Sequence, residues 1–187
     1  MHCQLCGADG PDLTRISGIE ICGTCRTVDG RQLLLDHGIV CDWNVMLGWL
    51  SASIALPPRQ HSFVLKCVPE GLHHKLIKLL VHEVEVGDPA FDDNVFIRTS
   101  DPERAAAVLA NEGVQSALVH LLSRRSGDNR GPAPKISLDG STLSARVRTE
   151  GPLGSPASTE ACLELVALAL HLSGASSQTT SEHRAAK

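Results

Sequence analysis

A chain of 187 residues has room for one domain, or for one domain with a small appendage. Apolar residues make up 42% but aromatics only 3%, so the interior must be built from Leu, Val, Ile and Ala. A formal charge of -4 with nine histidines gives no general electrostatic pull toward nucleic acid or anionic membrane, and a nucleic-acid partner is not expected.

Residues 1–10 have neither the basic start nor the apolar run of a secretion signal. No stretch reaches the roughly 18–20 uninterrupted apolar residues that span a bilayer. Ile39–Leu56 is broken by Asp42 and Asn44, and Ala157–Leu172 by Glu160 and Glu164. Seven cysteines in such a chain point to a reducing compartment, where paired cysteines hold metal more often than they form structural disulfides. A cytoplasmic protein is expected.

The amino-terminal segment reads as knuckle, hairpin, knuckle. Cys3-Gln4-Leu5-Cys6-Gly7 precedes two short strands, Leu13–Ile16 and Ile19–Ile21, joined at Ser17-Gly18, and Cys22-Gly23-Thr24-Cys25 follows. A helical pattern from Cys25 to Asp36 would complete a treble clef; without it the arrangement is a zinc ribbon. A C-x2-C turn sets two sulfurs on one side of an ion. Two such turns 15 residues apart give Cys3, Cys6, Cys22 and Cys25 as four thiolate ligands for one Zn2+. Gly7 and Gly23 are expected to permit the tight backbone. Four thiolates leave no position open for water, so the ion is structural and should contribute much of the folding free energy of a segment too small to fold alone. His2 or His37 in place of a thiolate is the weaker reading. Three arginines (Arg15, Arg26, Arg31) face five carboxylates in residues 1–36, a net charge of -2 with no aromatic. That is the wrong sign for phosphate, so this module is expected to dock on a protein surface or on its own neighbouring domain.

Beyond His37 the pattern is α+β: a mainly antiparallel sheet flanked by about three helices. Residues 38–47 and Trp49–Leu56 form a strand pair, and His61–Val68 a third strand, ended by Pro69. Leu72–Val86 fits a helix at its start and a strand at its end. Gly87-Asp88-Pro89 is a turn, and Asn94–Thr99 a strand. Ser100-Asp101-Pro102-Glu103 has the spacing of a Ser-x-x-Glu capping box, opening one helix to about Asn111 before a second from Glu112 to about Ser123. Lys135–Leu138 and Thr142–Thr149 make a hairpin around Asp139-Gly140. Ser155-Pro156 opens a final helix with Glu160, Glu164 and His171 on one side, most of which should be buried. The expected division is a zinc-binding module at 1–36, an α+β domain at 37–173 and a disordered Ser/Thr-rich tail at 174–187.

Other candidate sites carry less chemistry. His73, His74 and His82 lie near Glu83 and Glu85, but His82-Glu83-Val84-Glu85-Val86 lacks the second histidine of a zinc-protease motif. Asp88, Asp92, Asp93 and Asn94 form an acidic turn that matches no EF-hand loop. Arg124, Arg125, Arg130, Lys135, Arg146 and Arg148 outnumber nearby carboxylates, which suits a solvated hairpin face by default, an anion-binding patch, or a surface facing the acidic 83–103 segment. Cys41, Cys67 and Cys162 sit among apolar residues as small core side chains.

Phe91, Asp92, Phe96 and Asp101, with the element order over about residues 60–173, resemble a bacterial domain family of unknown function. In many of its members the domain follows two transmembrane helices, which are not evident here. The resemblance implies a fold and no mechanism. The expected function is therefore a zinc-stabilised, soluble, non-catalytic binding or scaffolding protein of bacterial type with a protein partner. A small enzyme using residues 73–93 and a transcription-associated nucleic-acid binder are the alternatives.

Overall fold

In a computed structural model of the protein, the structure describes residues 2–4, 6–10, 13–23, 39–46, 48–57, 63–70, 84–124, 133–149 and 156–173. The fold is α+β. A two-stranded hairpin, β1 (Leu13–Ile16) and β2 (Ile19–Cys22), precedes a six-stranded antiparallel sheet. That sheet contains β3 (Val40–Met46), β4 (Trp49–Ala55), β5 (Val64–Pro69), β6 (Val95–Thr99), β7 (Lys135–Asp139) and β8 (Thr142–Arg148). Its spatial order is β3-β4-β8-β7-β5-β6. The helices among the described residues are the single turn α1 (Pro89–Asp92), then α2 (Pro102–Leu109), α3 (Glu112–Ser123) and α4 (Pro156–Ser173).

Alternation in β4, β5, β7 and β8 makes the sheet two-faced, whereas in β6 Val95, Phe96 and Ile97 are all buried. Leu50, Ala52 and Ile54 of β4, Leu65 and Cys67 of β5, Ile136 and Leu138 of β7, and Leu143, Ala145 and Val147 of β8 are buried. Their neighbours Ser51, Ser53, Lys66, Lys135 and Arg146 are exposed. Helices α3 and α4 cover the apolar face, with Val114 and Leu118 of α3 and Leu168 and Leu172 of α4 meeting Leu65, Cys67, Ile136, Leu138 and Leu143. Every described residue of α4 from Ala161 to Leu170 is buried, as expected of a helix apolar on nearly all sides. The sheet cannot cover all of that circumference. The β1–β2 hairpin closes part of what remains, and its Ile16, Ile19 and Ile21 join the same buried cluster as the sheet and helices.

Three local details differ from the sequence expectation. Helix α2 is capped by Asp101, whose carboxylate accepts from Arg104 N at 3.1 Å. Ser100 is not the cap; its Oγ accepts from Val64 N at 2.9 Å and ties β5 to the helix entrance. The acidic turn contains a helical turn, α1, that the periodicity did not show. Here Asp88 caps Ala90 N at 2.9 Å, and Asp92 accepts from Val86 N at 3.1 Å and Gly87 N at 3.0 Å. Val84–Val86, the described part of the ambiguous 72–86 segment, is not in a strand. The helix expected at 25–36 and the tail at 174–187 lie outside the described residues.

Gly113, in the first turn of α3, lies against the His171 ring: a Cβ there would stand 2.2 Å from its Nε2. In an open helix, Gly to Ala gains about 1 kcal/mol. Here the added methyl must push the imidazole off its place, and overpacking of this kind costs about 1–3 kcal/mol. Gly113→Ala is thus expected to lower stability in urea titration despite its better helix propensity. An unchanged or raised midpoint would show that the contact is slack.

Candidate metal centre and the latch beneath it

The sulfurs of Cys3, Cys6 and Cys22 lie within 4.8 Å of one another. They converge because two short backbone devices bring them there. In the first knuckle, Gly7 takes a left-handed φ of 75° and its N–H donates to Cys3 O at 2.8 Å, while Cys3 N donates to Ala8 O at 2.8 Å. Gln4 then ties the knuckle to the second strand: its N–H reaches Glu20 O at 2.8 Å, and its Oε1 accepts from Glu20 N at 3.3 Å. Strand β2 carries Cys22 at its end, directly opposite Leu13 in register. Gly23 does not adopt a left-handed backbone and has open space where a Cβ would stand, so this position does not require glycine.

Cys6 Sγ and Cys22 Sγ are 3.7 Å apart. That is far beyond the ~2.05 Å of a disulfide. It matches the edge of a sulfur tetrahedron, about 3.8 Å for Zn–S bonds of about 2.3 Å. Cys3 is buried, Cys22 half-buried and Cys6 exposed. The triad could therefore hold a metal ion. Cys25, the fourth sulfur expected from the sequence, lies outside the described residues, as do His37 and the cluster His73, His74 and His82.

The tip of the hairpin, about 13 Å from the sulfurs at the rise of a four-residue strand, is latched to the helices by buried polar groups. Ser17 and Gly18 both have positive φ, 43° and 84°, the requirement of a type I′ turn. Serine is strained there, and such strain persists where surroundings hold it. Ser17 Oγ donates to Glu164 Oε2 of α4 in a short hydrogen bond and lies 3.3 Å from Ser116 Oγ of α3. Glu164 Oε1 pairs with His120 Nδ1 at 2.8 Å, and His171 Nε2 donates to Ser17 O at 2.8 Å. Glu164, only 4% exposed, thus joins α3, α4 and the hairpin. Sequence reasoning placed Glu160, Glu164 and His171 on one side of the helix without finding this latch. The available signal was a carboxylate inside a helix otherwise bound for burial, which needs a partner. Glu160 is exposed and pairs with Arg124 at 3.1 Å.

Other candidates fall into place as packing. Cys67 and Cys162 are buried and Cys41 half-buried. Burial pushes the Cys67 thiol up from 9.0 to about 12. The carboxylates of Asp88 and Asp92 are engaged by backbone N–H groups of their own loop. A small apolar pocket between sheet and helices, lined by Leu65, Cys67, Leu118 and Leu168 among others, offers a ligand no polar group. Among the described residues, no single helix is long and apolar enough to cross a membrane. Comparison with protein-family models, with curated proteins and with solved structures finds no match to this chain.

Two outcomes follow from the geometry. Glu164→Ala leaves Ser17 and His120 without their shared acceptor and is expected to cost about 1–3 kcal/mol in chemical denaturation; a smaller loss would mean that water replaces the carboxylate. Cys67 in the native state keeps its proton up to about pH 12, whereas an unfolded thiol releases it near 9.0. The native state therefore binds the extra proton across that window, and this contribution to stability is lost as pH rises through it. Alkylation at pH 8 followed by mass spectrometry should leave Cys67 unmodified until denaturant is added.

Proposed function

We propose that this chain is a non-catalytic binding protein whose amino-terminal hairpin is held in shape by one structural Zn2+, with Cys25 completing a four-sulfur site alongside Cys3, Cys6 and Cys22. The observation that supports it is the sulfur triad itself, with its 3.7 Å edge between Cys6 and Cys22 and a buried Cys3. A borderline-soft ion without redox chemistry fits thiolates well, and four of them would close the site to substrate. The hairpin is too short to bury enough apolar surface by itself, so ion binding would stabilise it as a cover for α4. The acidic character of residues 1–36 argues against this module as the partner-binding surface for phosphate. Its role in this reading is internal, to hold Ile16, Ile19 and Ile21 against the helices.

Metal analysis of purified protein is expected to find one zinc per chain. Cys3→Ser and Cys25→Ser should each lose the ion and lower the melting temperature by several degrees, with a strong chelator reproducing the shift in the unsubstituted chain. Metal-free protein with an unshifted melt, or sulfurs recovered as disulfides under reducing purification, would sink the reading.

A further inference from the structure

The face of the six-stranded sheet turned away from α3 and α4 carries a charge pattern that stability alone does not explain. One row crosses every strand: Asp42, Ser53, Ser144, Ser137, Lys66 and Arg98 are successive cross-strand partners. The next row sets Asn44, Ser51, Arg146 and Lys135 side by side, and Arg148 stands opposite Trp49. Two pairs are like-charged and directly opposed, Lys66 with Arg98 and Lys135 with Arg146. Such pairs are destabilising in a sheet. Lys66, Arg98, Lys135 and Arg146 are all exposed. Among the described residues of this face the carboxylates are Asp42 and Asp139, with Glu70 just beyond β5, so against these and Arg148 the face is positive in a chain of net charge -4.

The same face holds a stack. The guanidinium of Arg148 lies 4.1 Å and that of Arg146 5.0 Å from the centroid of the Trp49 ring. Cation–π contact fixes these planar groups beside one another on β4 and β8. From Arg98 on β6 to the arginines on β8 is three strand spacings, about 14 Å, with Trp49 one strand further. Small serines lie between, so a chain could approach the backbone closely.

Phe96, two residues before Arg98, is buried, so the face is covered at that end. We propose that its exposed basic part binds single-stranded nucleic acid. Lys66, Arg98, Lys135 and Arg146 meet phosphates, and the Trp49–Arg148 stack receives an unpaired base. Single-strand binders combine a basic track with planar groups on which bases stack, and both are present here. A duplex would keep its bases from the stack, and an acidic peptide would have no use for it. This inference rests on the reading of a non-catalytic binding protein and names its partner; it does not depend on the ion.

The test is fluorescence anisotropy of a labelled oligothymidylate of about 20 nucleotides with the full chain, titrated between about 50 and 200 mM salt. Binding should weaken steeply with salt. Lys135→Ala/Arg146→Ala, both exposed, should weaken binding about tenfold or more and lower the log–log salt slope by about 1.4, that is 0.7 for each lost phosphate contact. Trp49→Leu should weaken binding about fivefold or more with the slope nearly kept, whereas Arg15→Ala, on the hairpin, should change nothing. No binding at low salt overturns the proposal. So does equal affinity for a duplex, for polyglutamate or for anionic vesicles. Zinc measured on the same samples separates the two readings: a zinc-loaded chain that ignores the oligonucleotide sinks this one alone, and a metal-free chain that binds it sinks the zinc site alone.

Discussion

A helix that is apolar on almost every side must be covered on almost every side, and α4 imposes that requirement on the rest of the molecule. The sheet supplies one wall through Leu65, Ile136 and Leu143, and α3 supplies a second. A two-layer arrangement would leave the remaining flank in water, at a cost of about 25 cal/mol for each Å2 of apolar surface exposed. The β1–β2 hairpin covers part of that flank. Apolar contact alone would leave the hairpin free to slide, because burial is non-directional. Glu164 removes the freedom: its two oxygens take Ser17 on one side and His120 on the other, and only one seating of the tip satisfies both.

The hairpin is thereby held at two ends by different physics. At its tip, a strained type I′ turn is fixed by charge-assisted hydrogen bonds to the buried Glu164, which the exposed His120 meets from the solvent side. At its open end the cysteines gather where Gly7, Gln4 and Glu20 fold the first knuckle onto β2. Neither end would hold a four-residue strand pair alone, since isolated two-stranded ribbons are marginal in water.

Much of this was legible in the amino-acid sequence because it is local. Alternation in Trp49–Ala55, the Ser17-Gly18 and Asp139-Gly140 turns and the Pro-initiated helices depend on near neighbours, and they occur where the pattern puts them. Errors arose where two local signals competed. Ser100 and Asp101 are both good caps, and the choice was made by Val64 of a distant strand, which takes the serine hydroxyl. The single turn α1 is too short for any period to register. Of the candidate site, the cysteine spacing was visible and the latch was not, because nothing near Ser17 in sequence points to a glutamate in the final helix. Arg146 and Arg148 were visible as charge; that they share a face with Lys66, Arg98 and Trp49 follows only from strand order.

The Ser17–Glu164 contact joins residues 147 positions apart. During synthesis at about 5–20 residues per second, about 7–30 s pass between the emergence of the hairpin and that of its seat. Throughout that interval the isoleucines of the hairpin lack α4 to rest on. An ion gathered by the cysteines would keep the nascent hairpin in shape over that interval, before α4 is there to receive it.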